Sequence, residues 1–530
     1  MNKVKILLIA IMVLSGILRL YKIDSVPPSL SWDEVAVGYN AWTIASFGKD
    51  EYGKTFPAFF KSFGDDKHPV HIYATALSVK FLDLSEFSTR LPSAVFGVLN
   101  VILIFFLVRL MFASSNLGLI ASFFLSVSPY NIHFSRFNHE ANFALFFFLL
   151  GLTLFYGAIN RNLKLLPLSA LSLGIAFISY HPSKIVVPSV VILLVFLYGK
   201  QLLKDRIGFF GVLIVAIIFS FLTVFNLQLL GIARVNQTSL NMDEVRKTRL
   251  FQLTNNEILG RLNLTLTQYS WHFMPDYLFI SGDKNPRLSD QVTGQFYILD
   301  ALFLLAGVIF LLYKRSKSGI VLLVWALVAP LPSALVSEAP HAARAMFTMG
   351  SWHMISALGF FSLLNIASKP FLKKGILITT IIIMLFLLSR YLTHYYGEYA
   401  KRNAIDWQYG MKQIVEYVKD NTQYSQVFIT DVRSQPYIFF LYYLKIPLPE
   451  YLSSVVYNRS EATKSFNSVS YFDRYYFGGW DPIGSSPEKG FLYVLTPSQY
   501  DGLRYKLVFQ VKKVIYYPNG TLAYYLVSAD

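Results

Sequence analysis

Eleven apolar runs, most of them close to helix-spanning length, set the limits on what this chain can become. They occupy 4–21, 90–112, 116–135, 140–159, 165–181, 183–199, 207–230, 296–313, 319–336, 345–367 and 375–396. A helix needs about 20 mostly apolar residues to cross a bilayer. The expectation is a polytopic α-helical membrane protein with about eleven transmembrane helices, although several runs are short or carry proline. The first run, 4–20, has basic flanks like a signal peptide. No small-residue cleavage site follows it, and Arg19 and Tyr21 end it, so it reads as a retained first helix.

The charges test this reading. With Lys3 and Lys5 in the cytoplasm, the turns that fall inside carry Arg109, Arg161 with Lys164, and Lys200 with Lys204 and Arg206. Further inside turns carry Lys314, Arg315 and Lys317, then Lys369, Lys373 and Lys374. The short outside turns hold only Arg136, Lys184 and Arg344. The positive-inside bias therefore holds at every turn. An odd number of spans leaves the N-terminus cytoplasmic and the C-terminus outside. Topology also explains the formal net charge of +16, which in a soluble protein would suggest nucleic acid. With no cysteine, disulfides and thiolate chemistry are excluded.

Three long segments then lie outside: 22–89, 231–295 and the tail 397–530. The expected layout is a membrane module over 1–396 and a small extracytoplasmic α/β domain over 397–530. In the tail, 407–418 places Trp407, Met411, Ile414, Val415 and Val418 at helical spacing. Short strands are expected at Gln426–Thr430, 491–496, 506–509 and 514–517. Pro518-Asn519-Gly520 reads as a hairpin turn before 522–527. The pattern Asn-x-Ser/Thr occurs at Asn236, Asn263, Asn458 and Asn519, all in outer segments.

The spans themselves are nearly free of charge, unlike those of transporters, which place ionisable residues near the midplane. Here the chemistry gathers at outer helix ends. Ser31-Trp32-Asp33-Glu34 opens a stretch, 32–47, whose apolar spacing reads as an amphipathic helix along the membrane. Ser31 and Glu34 fit a capping box, and Asp33 sits where the helix dipole favours a carboxylate. A plain cap explains these residues; so does a general base held near lipid headgroups. Asp65-Asp66-Lys67-His68-Pro69 is either a solvated loop with a snorkelling lysine or a point charge for a lipid phosphate. Ser135-Arg136-Phe137-Asn138-His139-Glu140 is either a polar turn or a phosphate fork four residues from a carboxylate. In the outer turn before the tenth helix, His341 and Arg344 stand three apart, sharing a face if the helix starts there. His181 and Lys184 occupy another outer turn, and Gly282-Asp283-Lys284-Asn285-Pro286-Arg287 the second outer loop. No cluster has zinc-site spacing, and neither a Walker A motif nor a dinucleotide fingerprint is present.

The sequence Ser31-Trp32-Asp33-Glu34-Val35-Ala36-Val37-Gly38-Tyr39-Asn40-Ala41 resembles the first-loop acidic motif of the GT-C membrane glycosyltransferases. The branch is the bacterial one related to protein O-mannosyltransferases and to the aminoarabinose transferases of lipid A. Asp66-Lys67-His68-Pro69-Val70-His71-Ile72-Tyr73 resembles the family's Lys-Pro-Pro segment, with His68 in place of the first proline. Arg90-Leu91-Pro92-Ser93-Ala94, the stretch 135–142 and Pro340-His341-Ala342-Ala343-Arg344-Ala345 also fit. The resemblance covers about residues 1–400. It implies transfer of a sugar from a polyprenyl-phosphate carrier to a protein, lipid A-like lipid or glycan acceptor outside a bacterial or archaeal plasma membrane. It implies no nucleotide cofactor, because the lipid phosphate leaves. A divalent metal is compatible with the family but not indicated by these residues.

By the same resemblance Asp33 is the catalytic carboxylate, with Glu34 assisting or capping, and the displacement inverts the anomeric carbon. Lys67, Arg136, His341 and Arg344 would hold the donor phosphate. Glu140, His139, His181, Lys184 and Arg287 would contact sugar or acceptor. Two other classes stand beside this one: a flippase for a lipid-linked sugar, and a non-catalytic envelope assembly factor. The first needs ionisable groups deep in the spans. The second tolerates joint changes at Asp33, Arg136 and Arg344.

Overall fold

A computed structural model describes residues 3–226, 228, 238–433, 435–458, 468–478, 487–504 and 506–529. The sequon at Asn236, the end of the run 207–230 and the start of the segment 231–295 lie outside these residues, as does the rest of the Asn458 sequon. The chain divides into two compact units, 1–21 with 93–395, and 22–92 with 396–530. The first long loop, however, joins the tail, a long-range pairing that hydropathy along the chain does not encode.

In the first unit the expected apolar runs are helical over most of their described residues. Among the described residues, six helices are long and apolar enough to cross a membrane by length and composition: Glu86–Phe112, Glu140–Asn160, Ser183–Leu202, Gly208–Phe225, Lys317–Ala334 and Pro370–Arg402. Others are shorter, such as Ser115–Val127 and Leu166–Ser179. The run 116–135 is broken into two helices at Ser128-Pro129, where proline supplies no N–H and opens a new helix at its first position. Burial sorts the helices. Two-thirds of the apolar window in Glu140–Asn160 is buried, whereas Gly208–Phe225 leaves nearly all of its side chains on the surface. Such an apolar exterior suits lipid and not water. Ile298–Lys314 and Thr348–Ile366 meet at backbone distance, since a Cβ on Gly359 would fall 1.8 Å from the Phe303 carbonyl oxygen. Small residues at such crossings are what membrane helices use in place of a hydrophobic drive.

The second unit is built on a seven-stranded mixed sheet. A short hairpin precedes it in the chain, β1 (Phe60–Ser62) and β2 (Asp65–Lys67). The sheet strands are β3 (Gln426–Thr430), β4 (Val456–Tyr457), β5 (Val469–Phe472), β6 (Tyr475–Gly478), β7 (Phe491–Leu495), β8 (Phe509–Tyr516) and β9 (Leu522–Ala529), in the order β4-β5-β6-β3-β7-β9-β8. β3 pairs in parallel, with β6 on one side and β7 on the other. One face carries stacked rings from Tyr471, Tyr476, Phe428 and Tyr493, with successive centroids 5.1, 4.9 and 5.5 Å apart. Alternation puts Val427, Ile429, Leu492 and Val494 on the other side, in the core.

That core is closed by the helix Met411–Asp420 through Ile414, Val415 and Val418, as the spacing predicts, although residues 403–410 form turns rather than its first part. The strands expected at 506–509 and 514–517 are a 3₁₀ turn followed by one continuous strand, β8. The helix Trp32–Phe47 forms as expected but does not lie with one face in lipid. Ten of its 16 residues are buried, among them Val35 through Ala41 in unbroken succession. It is enclosed within its unit, and a Cβ on Gly38 would strike the Tyr442 ring at 2.5 Å and Thr89 Oγ1 at 2.8 Å.

Candidate active site

The chemistry in the second unit starts from a helix cap. Ser31 Oγ accepts from the Glu34 N–H at 3.3 Å, and Glu34 Oε2 accepts from the Ser31 N–H at 3.1 Å. This is the capping box expected from the sequence. Glu34 also binds Arg90, which lies near the start of Glu86–Phe112. Arg90 Nε donates to Oε1 at 2.8 Å and Nη2 to Oε2 at 3.1 Å. Neither side chain reaches solvent. The remaining donors of Arg90 go to the carbonyls of Ile23, Pro27 and Ser29, at 3.0, 2.8 and 2.6 Å. One guanidinium thus fixes the loop before the helix and the first turn of the helix together. A planar five-donor fork can do this where a lysine could not.

Asp33, one residue earlier, faces the other way. Its side chain is 45% exposed and accepts from Lys67 Nζ at 2.6 Å. Lys67 ends β2, and its ammonium also lies 5.6 Å from the Phe63 ring centroid. His68 caps the next helix, Pro69–Leu82, in extended conformation. The hairpin therefore delivers Lys67 to Asp33 with the backbone leading straight into a proline-started helix. The helix N-terminus and the ammonium both present positive charge to this carboxylate. It is reachable from solvent, which a proton acceptor for a substrate hydroxyl needs to be.

Glu51 carries a signal that sequence reading missed. It is buried, accepts from Asn40 Nδ2 at 3.0 Å and from the Tyr437 hydroxyl at 3.1 Å, and donates its N–H to Asn40 Oδ1 at 3.0 Å. No cation balances it among these partners, and burial pushes its carboxyl up to about 7. Only its place after the Gly48 helix stop could have marked it.

The first unit holds the other candidates. Arg136 is buried, with Nη1 donating to the carbonyls of Leu18 at 3.0 Å and Arg19 at 3.2 Å, and Nη2 to that of Tyr21 at 2.7 Å. It ties down the carbonyl end of the helix Lys3–Leu20, where the dipole is negative. His139 caps Glu140–Asn160 by accepting from the Ala141 N–H at 3.1 Å, and lies 3.7 Å from the Glu140 carboxylate. Its ring meets Tyr180 edge-on at 5.6 Å. Lys184 Nζ donates to the Tyr180 carbonyl at 3.4 Å and is within electrostatic reach of Glu140. The fold therefore gathers His139, Glu140, His181 and Lys184 from two separate turns.

A second group forms around residues 337–345. His341 donates its N–H to Ser333 Oγ at 3.0 Å, and the Ala345 N–H reaches the His341 carbonyl at 3.0 Å. Arg344 donates to the Ser337 carbonyl, and its Nη2 is 3.6 Å from Glu338. Asp283 touches this turn through the Ala342 N–H and touches its own loop through Asn285. Burial pushes its carboxyl up to about 6, against those two bonds and Arg344. Arg287 follows in that loop, its carbonyl accepting from His133 Nε2 at 2.8 Å. Among the described residues no three His, Cys, Asp or Glu side chains are grouped to hold a metal ion.

Residues 66–224 match the family model described as dolichyl-phosphate-mannose-protein mannosyltransferase, a stretch that includes Lys67, Arg90, Arg136, Glu140 and Lys184. No curated protein sequence matches the chain. Among solved structures it is similar to ArnT from Cupriavidus metallidurans bound to undecaprenyl phosphate, at 12% identity and a TM-score of 0.56, over 99% of this chain and 97% of that one. It is also similar to the Archaeoglobus fulgidus oligosaccharyltransferase tethered with an acceptor peptide containing the NVT sequon, at 14% identity and a TM-score of 0.52, over 98% of this chain and 74% of that one. The archaeal enzyme in complex with an inhibitory peptide and a dolichol-phosphate matches at 14% identity and 0.51, with the same coverage. The chain shares its fold with ArnT and with the archaeal oligosaccharyltransferase.

Proposed function

We propose that this protein is an inverting glycosyltransferase that moves a sugar from a polyprenyl-phosphate carrier to a hydroxyl-bearing acceptor outside the cytoplasm. The observation that carries the reading is the contrast at residues 33 and 34. A buried Glu34–Arg90 pair locks the helix start, and Asp33 is left half-exposed on Lys67. That the solved relatives hold undecaprenyl phosphate or dolichol-phosphate supports a lipid-phosphate donor.

In the proposed step the acceptor oxygen bonds to the anomeric carbon as that carbon's bond to the phosphate oxygen breaks. The acceptor proton passes to Asp33, and the electron pair leaves with the polyprenyl phosphate. Attack opposite the leaving group inverts the carbon. Lys67 stabilises the charge that grows on the phosphate. In the first unit, taken by itself, His341 and Arg344 are proposed as phosphate contacts, and Arg287, His139, Glu140, His181 and Lys184 as contacts for sugar or acceptor. Arg136 is assigned instead to holding the end of the first helix, because its donors go to three carbonyls.

The test is Asp33→Asn in purified protein, with transfer followed from a panel of radiolabelled polyprenyl-phosphate sugars to membrane acceptors. Loss of a positioned general base costs about 10²- to 10⁴-fold. The expected result is a fall in that range with the melting temperature unchanged. Wild-type transfer by the variant ends the assignment of Asp33.

A further inference from the structure

Asp283 divides its two carboxylate oxygens between two segments that are far apart in sequence. Oδ1 accepts from the Asn285 N–H at 2.8 Å, and the Asn285 side chain in turn accepts from the Arg287 N–H at 3.0 Å. Two successive side-chain-to-backbone turns of this kind order the loop that ends in Arg287. Oδ2 accepts from the Ala342 N–H at 2.5 Å, within the turn that carries His341 and Arg344. The same peptide segment is held from its carbonyl side, because the Tyr130 hydroxyl donates to the Ala342 oxygen. Asp283 is only 3% exposed. A carboxylate so buried is costly unless its bonds are needed, and here each oxygen is committed to a different backbone N–H.

We infer that Asp283 is a positioning residue that ties the loop ending in Arg287 to the turn of His341 and Arg344, and so sets these two as one anion-recognising unit for the lipid phosphate of the donor. The inference rests on the proposed donor role of Arg344. Asparagine in place of Asp283 keeps one acceptor oxygen and turns an N–H₂ toward a backbone N–H. One of the two segments is then released, while the volume of the side chain is kept.

The probe is undecaprenyl phosphate, titrated into the full-length protein in nanodiscs. Arg344→Ala is expected to weaken its Kd about tenfold or more, as for loss of a charge-assisted bond. Asp283→Asn is expected to weaken it about tenfold by misplacing the same group. The double variant is expected to be no weaker than Arg344→Ala alone, because the two changes remove one interaction. A merely structural role for Asp283 would give effects that multiply. Should Asp283→Asn fail to fold, Tyr130→Phe loosens the same turn without stranding a carboxylate, and its Kd is read instead. An unchanged Kd in Arg344→Ala would remove Arg344 from the donor site and leave Asp33 untouched. A weakened Arg344→Ala with an unchanged or multiplicative Asp283 variant overturns the inference and leaves the reading of Arg344 standing.

Discussion

At residues 31–34 an arginine from elsewhere in the unit is buried against a glutamate, and the neighbouring aspartate is left at the surface with a lysine. At residues 135–140 the arginine is again buried, but it faces backbone carbonyls, and the groups near the surface are His139 and Glu140. The two regions use similar residue types for opposite ends. In the first, guanidinium and carboxylate neutralise each other out of water, so the pair acts as a rigid mount. In the second, the partial charges of the helix end receive the guanidinium through three backbone carbonyls. Residue type alone therefore separates neither mount from site. The bonds and burial do.

The largest effect expected from this contrast is on stability. Arg90→Met strands the Glu34 carboxylate in the interior, and breaking a buried pair in this way costs about 3–5 kcal/mol. Arg136→Met leaves the carbonyls of Leu18, Arg19 and Tyr21 without this donor, and about 1–3 kcal/mol is expected. Replacing both partners of the first pair, Glu34→Leu with Arg90→Met, is expected to recover most of the loss, since an apolar pair needs no desolvation. Thermal unfolding in detergent ranks the four proteins. Equal losses for the two arginine variants, or no recovery in the double variant, would break the comparison.

Much of the fold is legible in the sequence because bilayer physics acts locally. Length, hydropathy and the lysines and arginines of the turns place the long apolar helices of the first unit within a few residues, but not Met242–Lys247, Arg249–Thr254 and Glu257–Trp271, which fall in the expected outer segment. The capping box at Ser31 is legible for the same reason. What is not legible is long-range. Nothing in 22–92 announces that it packs with 396–530, and nothing in Trp32–Phe47 announces burial on all sides, because Gly38, Asn40 and Ala41 look like a polar or small face until the residues that cover them are known. β5 and β6 are missed as well, since their rows of Tyr and Phe lack clear alternation. At the site, the types Asp33, Lys67 and Arg344 were evident, but the separation of Asp33 from Glu34 and the part played by Asp283 depend on who meets whom.

Glu51 sharpens the comparison from a third side, as a buried acid bonded to neutral donors where Glu34 has a guanidinium. An exposed glutamate loses its proton near 4.5, whereas Glu51 in the fold keeps it up to about 7. Between these values the folded state binds more protons than the unfolded one. Stability therefore falls as pH rises through this window, by up to about 3 kcal/mol, and changes no further above it on this account. Glu51→Gln is expected to remove that slope while keeping bonds to Asn40 and Tyr437. The measurement is melting temperature against pH from 4.5 to 8 for both proteins. Parallel curves would show that Glu51 is ionised throughout and that a cation balances it after all.

The smallest effect bears most directly on what Asp33 is for. If Asp33 only completes a helix cap, then damaging the cap and neutralising Asp33 should look alike. Ser31→Ala removes the oxygen that accepts from the Glu34 N–H, at a cost of about 1 kcal/mol, and Ser31→Gly should cost only a few tenths. Both leave Glu34 on Arg90, so the helix start stays in place and Asp33 stays on Lys67. The serine variants are therefore expected to lower the melting temperature slightly, Ala more than Gly, and to keep transfer within a few-fold of wild type. Asp33→Asn is expected to do the reverse. Melting curves and transfer rates on the three proteins decide it. Transfer that tracks melting temperature across the set would make Asp33 part of the mount rather than of the chemistry.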